Sequence, residues 1–143
     1  MLRELMFALA VAATSPSQSG AVAAGTALTP AAEAKADSFF AALKAGQTAE
    51  AYHKAFEGTL MMQKKQGDMD NAIAQTNAIL TYYGHVTGWE FIDADPLSPS
   101  FAQARYLVKT EQGPIFFRLQ LYNPGTGWVI SNISFADRLS GLQ

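Results

Sequence analysis

Apolar residues recur at three- and four-residue steps through the first half of the folded part of the chain and alternate with polar ones through the second. That change of period predicts helices followed by strands. Thr29-Pro30 opens the first helix, since Thr caps well and Pro suits the first helical position. Ala32, Ala36, Phe39, Phe40 and Leu43 form its stripe, Lys44 complements its negative end, and Gly46 stops it in a left-handed cap. Thr48 is the expected cap of a second helix with Tyr52, Phe56 and Leu60 on one face, continued or frayed by residues 61–67 (MMQKKQG). A third starts at Asp68 or Asp70, carries Met69, Ile73, Thr76, Leu80 and Tyr83 on one side, and ends at Gly84. Short connections make these helices neighbours.

Residues 86–93, 102–110, 115–122 and 128–135 are rich in β-branched and aromatic side chains and are bounded by turn residues, the pattern of four strands. Gln112-Gly113 reads as a two-residue hairpin turn, placing Thr110 opposite Ile115, Val108 opposite Phe117 and Tyr106 opposite Leu119. A hairpin loop at residues 123–127 (NPGTG) places Tyr122 opposite Trp128, Leu121 opposite Val129, Phe117 opposite Ile133 and Ile115 opposite Phe135. One face then collects Ala104, Tyr106, Val108, Ile115, Phe117, Leu119, Leu121, Val129, Ile133 and Phe135, with Ser131 as its lone polar member. The helices must cover this face. The expected class is α+β: three N-terminal helices packed on a curled four-stranded antiparallel sheet.

The opposite face reads Arg105, Leu107, Lys109, Phe116, Arg118, Gln120, Tyr122, Trp128, Ile130 and Asn132. Leu107, Phe116, Tyr122, Trp128 and Ile130 on one exposed face make a patch large enough to imply a partner. Arg, Tyr and Trp are also the types enriched at binding hot spots. The expected partner is a second copy of the chain, with Arg105, Leu107, Phe116, Arg118, Tyr122, Trp128 and Ile130 at the interface. The alternative is a solvent face carrying ordinary cross-strand aromatic pairs.

The N-terminal segment has neither pattern. Residues 1–30 hold two charged side chains, Arg3 and Glu4, and residues 5–13 (LMFALAVAA) are uninterruptedly apolar. A basic start, an apolar core of this length and Ala21-Val22-Ala23 as an A-x-A site read as a secretory signal. Residues 1–24 are thus the expected export leader, 25–28 a short connection and 29–143 the working domain, periplasmic or secreted. The alternative is an alanine-rich tail. Nine helical residues reach about 14 Å, half a bilayer's apolar thickness, so no stable membrane insertion is expected after cleavage.

Composition narrows the chemistry. The chain has 143 residues, 49% hydrophobic and 15% charged, with a net charge of −2 and no cysteine. Disulfides, thiolate metal sites and cysteine nucleophiles are excluded. A pI of about 5.6 supplies no phosphate-attracting field, so no nucleic-acid partner is expected.

Three helices, then a curled sheet entered through Tyr82-Tyr83-Gly84-His85-Val86-Thr87-Gly88-Trp89-Glu90-Phe91, resemble the nuclear transport factor 2-like superfamily. The ending Phe116-Phe117-Arg118-Leu119-Gln120-Leu121-Tyr122, then Gly127-Trp128-Val129-Ile130-Ser131-Asn132-Ile133-Ser134-Phe135, is similar to its small secreted members of uncharacterised function. The resemblance covers about residues 29–138. It implies a cone-shaped, cystatin-like fold whose open end can hold a small apolar ligand. Members range from isomerases and dehydratases to non-catalytic dimerisation modules, so it selects no activity.

The enzymes of that superfamily place an Asp or Glu, or an Asp–His pair, inside the cone. Here the core face of the last three strands offers only Tyr106 and Ser131 as polar groups, so an acid–base pair would come from His53, His85, Glu57, Glu90, Asp93 or Asp95. His53 and Glu57 share a helical face, where an exposed ion pair is the alternative. His85 follows Gly84 at the expected cone mouth, or is simply solvated. Asp93-Ala94-Asp95-Pro96 reads more readily as turn chemistry than as a cation grip, and no metal or cofactor is expected. Asn132-Ile133-Ser134 matches a glycosylation triplet but lies mid-strand. Lys64-Lys65 is too short for a basic patch.

The expected function is therefore an exported, non-catalytic binding domain, dimeric through the outer sheet face. Its small apolar ligand would meet Tyr52, Phe56, Tyr83, Trp89, Tyr106 and Ser131, unless the cone is filled by its own aromatics. The alternative is an isomerase- or dehydratase-type enzyme with His53 or His85 as base.

Overall fold

A computed structural model describes residues 28–142, so the expected export leader, residues 1–24, lies outside the described residues. The order is α1 (Pro30–Lys44), α2 (Thr48–Ala55), α3 (Leu60–Lys64), α4 (Gln66–Tyr83), β1 (Val86–Ser98), β2 (Phe101–Thr110), β3 (Pro114–Tyr122) and β4 (Val129–Ala136), then a 3-10 turn at Leu139–Leu142. The helices pack on one curled antiparallel sheet in the order β1-β2-β3-β4, which leaves β1 and β4 as edges. The α+β class is as expected. Three of the helices are long and α3 is a five-residue insert between the second and the last.

Helix α1 follows its sequence pattern closely. Thr29 Oγ1 accepts the Ala32 N–H at 3.3 Å, and the buried stripe is Ala32, Ala36, Phe39, Phe40 and Leu43. Gly46 at φ 79° closes the end in the left-handed conformation that favours glycine. Helix α2 departs from expectation at both ends. Thr48 is a buried helical residue and Gln47 takes the cap position without a side-chain bond. The helix stops at Ala55, Gly58 turns the chain at φ 81°, and Leu60 is thrown off the Tyr52–Phe56 face to become 65% exposed. Helix α4 begins at Gln66, before Asp68, buries Met69 and Thr76, and ends at Gly84.

Both hairpin registers are corrected. Val108 faces Ile115, Tyr106 faces Phe117 and Ala104 faces Leu119. Thr110 N–H donates to the Gly113 carbonyl at 3.1 Å, so the turn residues are Glu111 and Gln112, not Gln112-Gly113. The reason lies outside the hairpin. Its tip is tied to the exit of α4, where Glu111 Oε1 accepts the His85 N–H at 2.9 Å and Gln112 N–H donates to the Tyr83 carbonyl at 2.9 Å. The displacement is an even number of residues, so every side chain keeps its face.

In the second hairpin Leu119 faces Ile133 and Phe117 faces Phe135, but beyond a register shift Leu121 faces Ile130 and Tyr122 faces Val129. Ser131 is the extra residue of this bulge. It reverses the phase of the strand start: Ile130, expected outside, is fully buried, and Ser131, expected in the core, is exposed. Burying an Ile side chain contributes about 2 kcal/mol, whereas Ser131 loses little by facing water. Its Oγ donates to the Gln120 carbonyl at 3.2 Å.

Between α1 and the sheet the space is packed ring on ring. Phe40 lies 4.8 Å from Tyr106, 5.1 Å from Phe39 and 5.6 Å from Phe117 between ring centroids. Phe39 meets Tyr52 at 5.2 Å, and Phe117 stacks on Phe135 at 5.2 Å. Edge-on and offset contacts of this kind add to the burial term.

Candidate functional site

Helices α1 and α4 meet α2 at Tyr52, through Phe39 and Thr76, and Phe40 of α1 packs on Tyr106 of β2; Tyr52 and Tyr106 are the largest fully buried side chains. Tyr52 OH lies 2.6 Å from Thr76 Oγ1, which itself donates to the Ala72 carbonyl at 2.8 Å. Because the Thr76 proton is already placed, the tyrosine is the donor in the first bond. Burial pushes the Tyr52 hydroxyl up to about 12, although the Thr76 contact works in the opposite direction. Tyr106 is 1% exposed and its hydroxyl has no hydrogen-bond partner among the described residues. Burial raises its pKa further, and the nearby carboxylates of Asp37 and Glu33 add to the rise. Both phenols are therefore neutral structural groups at ordinary pH.

The other expected pocket residues scatter. Phe56 is buried beside Tyr52, with ring centroids 6.2 Å apart. Trp89 is half-buried, its indole N–H donating to Asp37 Oδ1 at 2.9 Å. Tyr83 is half-buried at the end of α4 and donates to Asp137 Oδ2 at 3.3 Å. Ser131 is exposed on the far side of the bulge. Tyr52 and Phe56 line one small cleft of about 190 Å³ with Met69 and Ile133, Tyr106 is buried in the core, and Tyr83 and Trp89 pack against that core from its edge.

The candidate bases lie at the surface. His53, Glu57 and His85 are exposed; His85 borders a shallow groove of about 220 Å³ with Lys44, Thr48 and Asn77. Among the described residues no three His, Asp or Glu side chains converge as a metal site. Asp93 is held by Arg105, with Nε donating to Oδ1 at 2.8 Å and Nη2 donating to Oδ2. Those bonds hold the Asp93 carboxyl below the usual carboxylate range. Glu90 pairs with Lys109 at 3.2 Å.

The outer sheet face is smaller than expected. Arg105 faces Arg118 and Leu107 faces Phe116 across β2 and β3, all four half-buried, and Tyr122 is 43% exposed. Asp93, Asp95 and Gln103 join the two arginines around a polar cleft of about 310 Å³. Ile130 leaves this face for the core. Trp128 leaves it too: it packs on the helix side, in a small cleft with Leu28, Thr29, Ala32 and Pro96 beneath the start of α1.

Open apolar surface gathers elsewhere. A groove of about 410 Å³ runs between the turn from α2 into α3 and the β3–β4 hairpin, lined by Gly58, Thr59, Leu60, Lys65, Tyr122, Pro124, Val129 and Ser131. Leu60 and Tyr122 are its exposed large hydrophobic members. Of the expected site residues only Tyr122 and Ser131 belong to it. Periodicity placed Leu60 on the core face; Gly58, as a helix stop, was the one signal that would have released it.

No protein-family model, no curated protein and no solved structure matches the chain. No helix among the described residues is long and apolar enough to cross a membrane.

Proposed function

We propose that the chain is a non-catalytic binding domain, built as a cone-shaped, cystatin-like member of the nuclear transport factor 2-like superfamily, that holds a small apolar ligand at its rim. The observation that carries this reading is the pairing of a ring-filled interior with an open apolar groove. Phe39, Phe40, Tyr106 and Phe117 occupy the space where a cone ligand would sit, so binding is displaced to the groove beside Leu60 and Tyr122. Three long helices followed by four antiparallel strands support the superfamily assignment. The apolar run and A-x-A site within residues 1–24 support a periplasmic or secreted location.

His53 and His85 carry no part of this function, because an exposed imidazole lacks the desolvated, oriented setting that proton abstraction needs. The test is titration with N-phenyl-1-naphthylamine, a neutral probe that fluoresces in apolar sites. The native protein enhances its emission saturably, and Leu60→Asp abolishes the enhancement while the circular dichroism stays native. Equal enhancement by the variant refutes the site.

A second reading concerns assembly. The Leu107–Phe116 pair, flanked by Arg105 and Arg118, supports a homodimer through the outer sheet face, now without Trp128 and Ile130.

A further inference from the structure

We infer that the rim groove selects an amphipathic carboxylate, with Lys65 as the head-group partner and Leu60, Pro124 and Val129 as the tail wall; this deepens the binding reading and rests on it. The groove exists because two local events coincide. Gly58, at φ 81°, ends the run of α2 and leaves Leu60 unburied. The Ser131 bulge turns Ile130 into the core and pairs Val129 with Tyr122 at the start of the hairpin. The first event takes Leu60 and the second takes Val129 off the core face that periodicity assigns, and these two side chains line one groove.

The polar groups of the groove divide into occupied and open. Thr59 Oγ1 donates to the Phe56 carbonyl at 2.5 Å, and Ser131 Oγ donates to the Gln120 carbonyl at 3.2 Å, so both hydroxyl protons are committed to backbone. The Lys65 ammonium and the Tyr122 hydroxyl make no hydrogen bond or ion pair among the described residues. No Asp or Glu lines the groove. Asp68, one turn further along α4, lines the neighbouring cleft with Tyr52 and Asn132.

An exposed lysine lining an apolar groove that holds no carboxylate suits an anion with an apolar tail, and charge-assisted hydrogen bonds are the stronger kind. The Lys65 ammonium and the Tyr122 hydroxyl both supply donors that the oxygens of a carboxylate accept. At about 410 Å³ the groove is near the small end of ligand sites, which suits one short alkyl chain.

Isothermal titration with decanoate, decanol and decyltrimethylammonium, each below its micelle concentration, tests the assignment. Decanoate binds best and decyltrimethylammonium worst. Lys65→Gln weakens decanoate about tenfold and leaves decanol unchanged, while Lys65→Arg keeps decanoate binding. Decanoate affinity that is unchanged in Lys65→Gln overturns the head-group assignment, and intact decanol binding then leaves the apolar groove standing. If neither decanoate nor decanol binds the native protein, the binding reading fails with it.

Discussion

The indole N–H of Trp89 donates to the Asp37 carboxylate at 2.9 Å, joining β1 to α1 across the edge of the aromatic core. Trp89 also packs on Phe40, ring centroids 6.0 Å apart. One side chain thus serves the core with its face and the helix with its edge. Removing the acceptor leaves a half-buried donor unsatisfied, which costs about 1–2 kcal/mol. Asp37→Ala is expected to lower the unfolding free energy by that amount, seen as a lower urea midpoint at unchanged slope. An unchanged midpoint would show that the bond contributes nothing.

Alkaline stability follows from the two buried phenols. The Tyr52 hydroxyl titrates near 12 when folded and near about 10 in an unfolded chain. The folded state therefore holds a proton that the unfolded state releases, and stability falls with rising pH over that interval. This contribution is fully present below about pH 10 and is lost as pH rises toward 12. Tyr106 shifts in the same direction. The unfolding free energy should be flat from about pH 7 to 9 and drop above about 10. In Tyr52→Phe the drop is shallower, and at neutral pH the variant is about 1 kcal/mol less stable for loss of the Thr76 bond. An equally steep drop in the variant excludes Tyr52 as a cause.

The bulge in β4 predicts an asymmetry between neighbours. Ile130→Ala opens a cavity in the core and is expected to cost about 2–4 kcal/mol, whereas Ser131→Ala should cost less than about 0.5 kcal/mol. Chemical denaturation of the two variants measures both. Comparable losses would argue against the register described.

Assembly through the outer face has its own variant. If Leu107 and Phe116 meet their counterparts in a second copy, Phe116→Glu should convert a sedimenting dimer into a monomer, because an unpaired buried carboxylate is strongly unfavourable. A parent protein that sediments as a monomer at high concentration refutes the dimer, and a variant that stays dimeric moves the interface elsewhere.

The α1 stripe, its Thr29 cap and Gly46 stop, and the inward set from Ala104 through Leu121 were all legible in sequence, because each depends on spacing within one segment. Leu60, Ile130 and Ser131 were not. Leu60 continues a helical period that Gly58 interrupts, and Ile130 and Ser131 sit where a bulge breaks an otherwise regular alternation. Leu60 and Ser131 line the groove, with Val129 beside them, so it was the least readable part of the molecule. Tyr122 was singled out as an exposed aromatic, but its partners there come from the α2–α3 turn and the α4 start.

Local period and capping chemistry thus settled by themselves that helices precede strands, where α1 begins and ends, and which faces of β2 and β3 point inward. The hairpin registers, the fate of Trp128 and the position of the open groove were decided only in the tertiary structure. The physical reason is that alternation along a strand is blind to a displacement of two residues. What selects among such registers is contact with distant segments, here Glu111 and Gln112 on the exit of α4, while the one-residue bulge that turns the start of β4 over is set by Ile130 against the core.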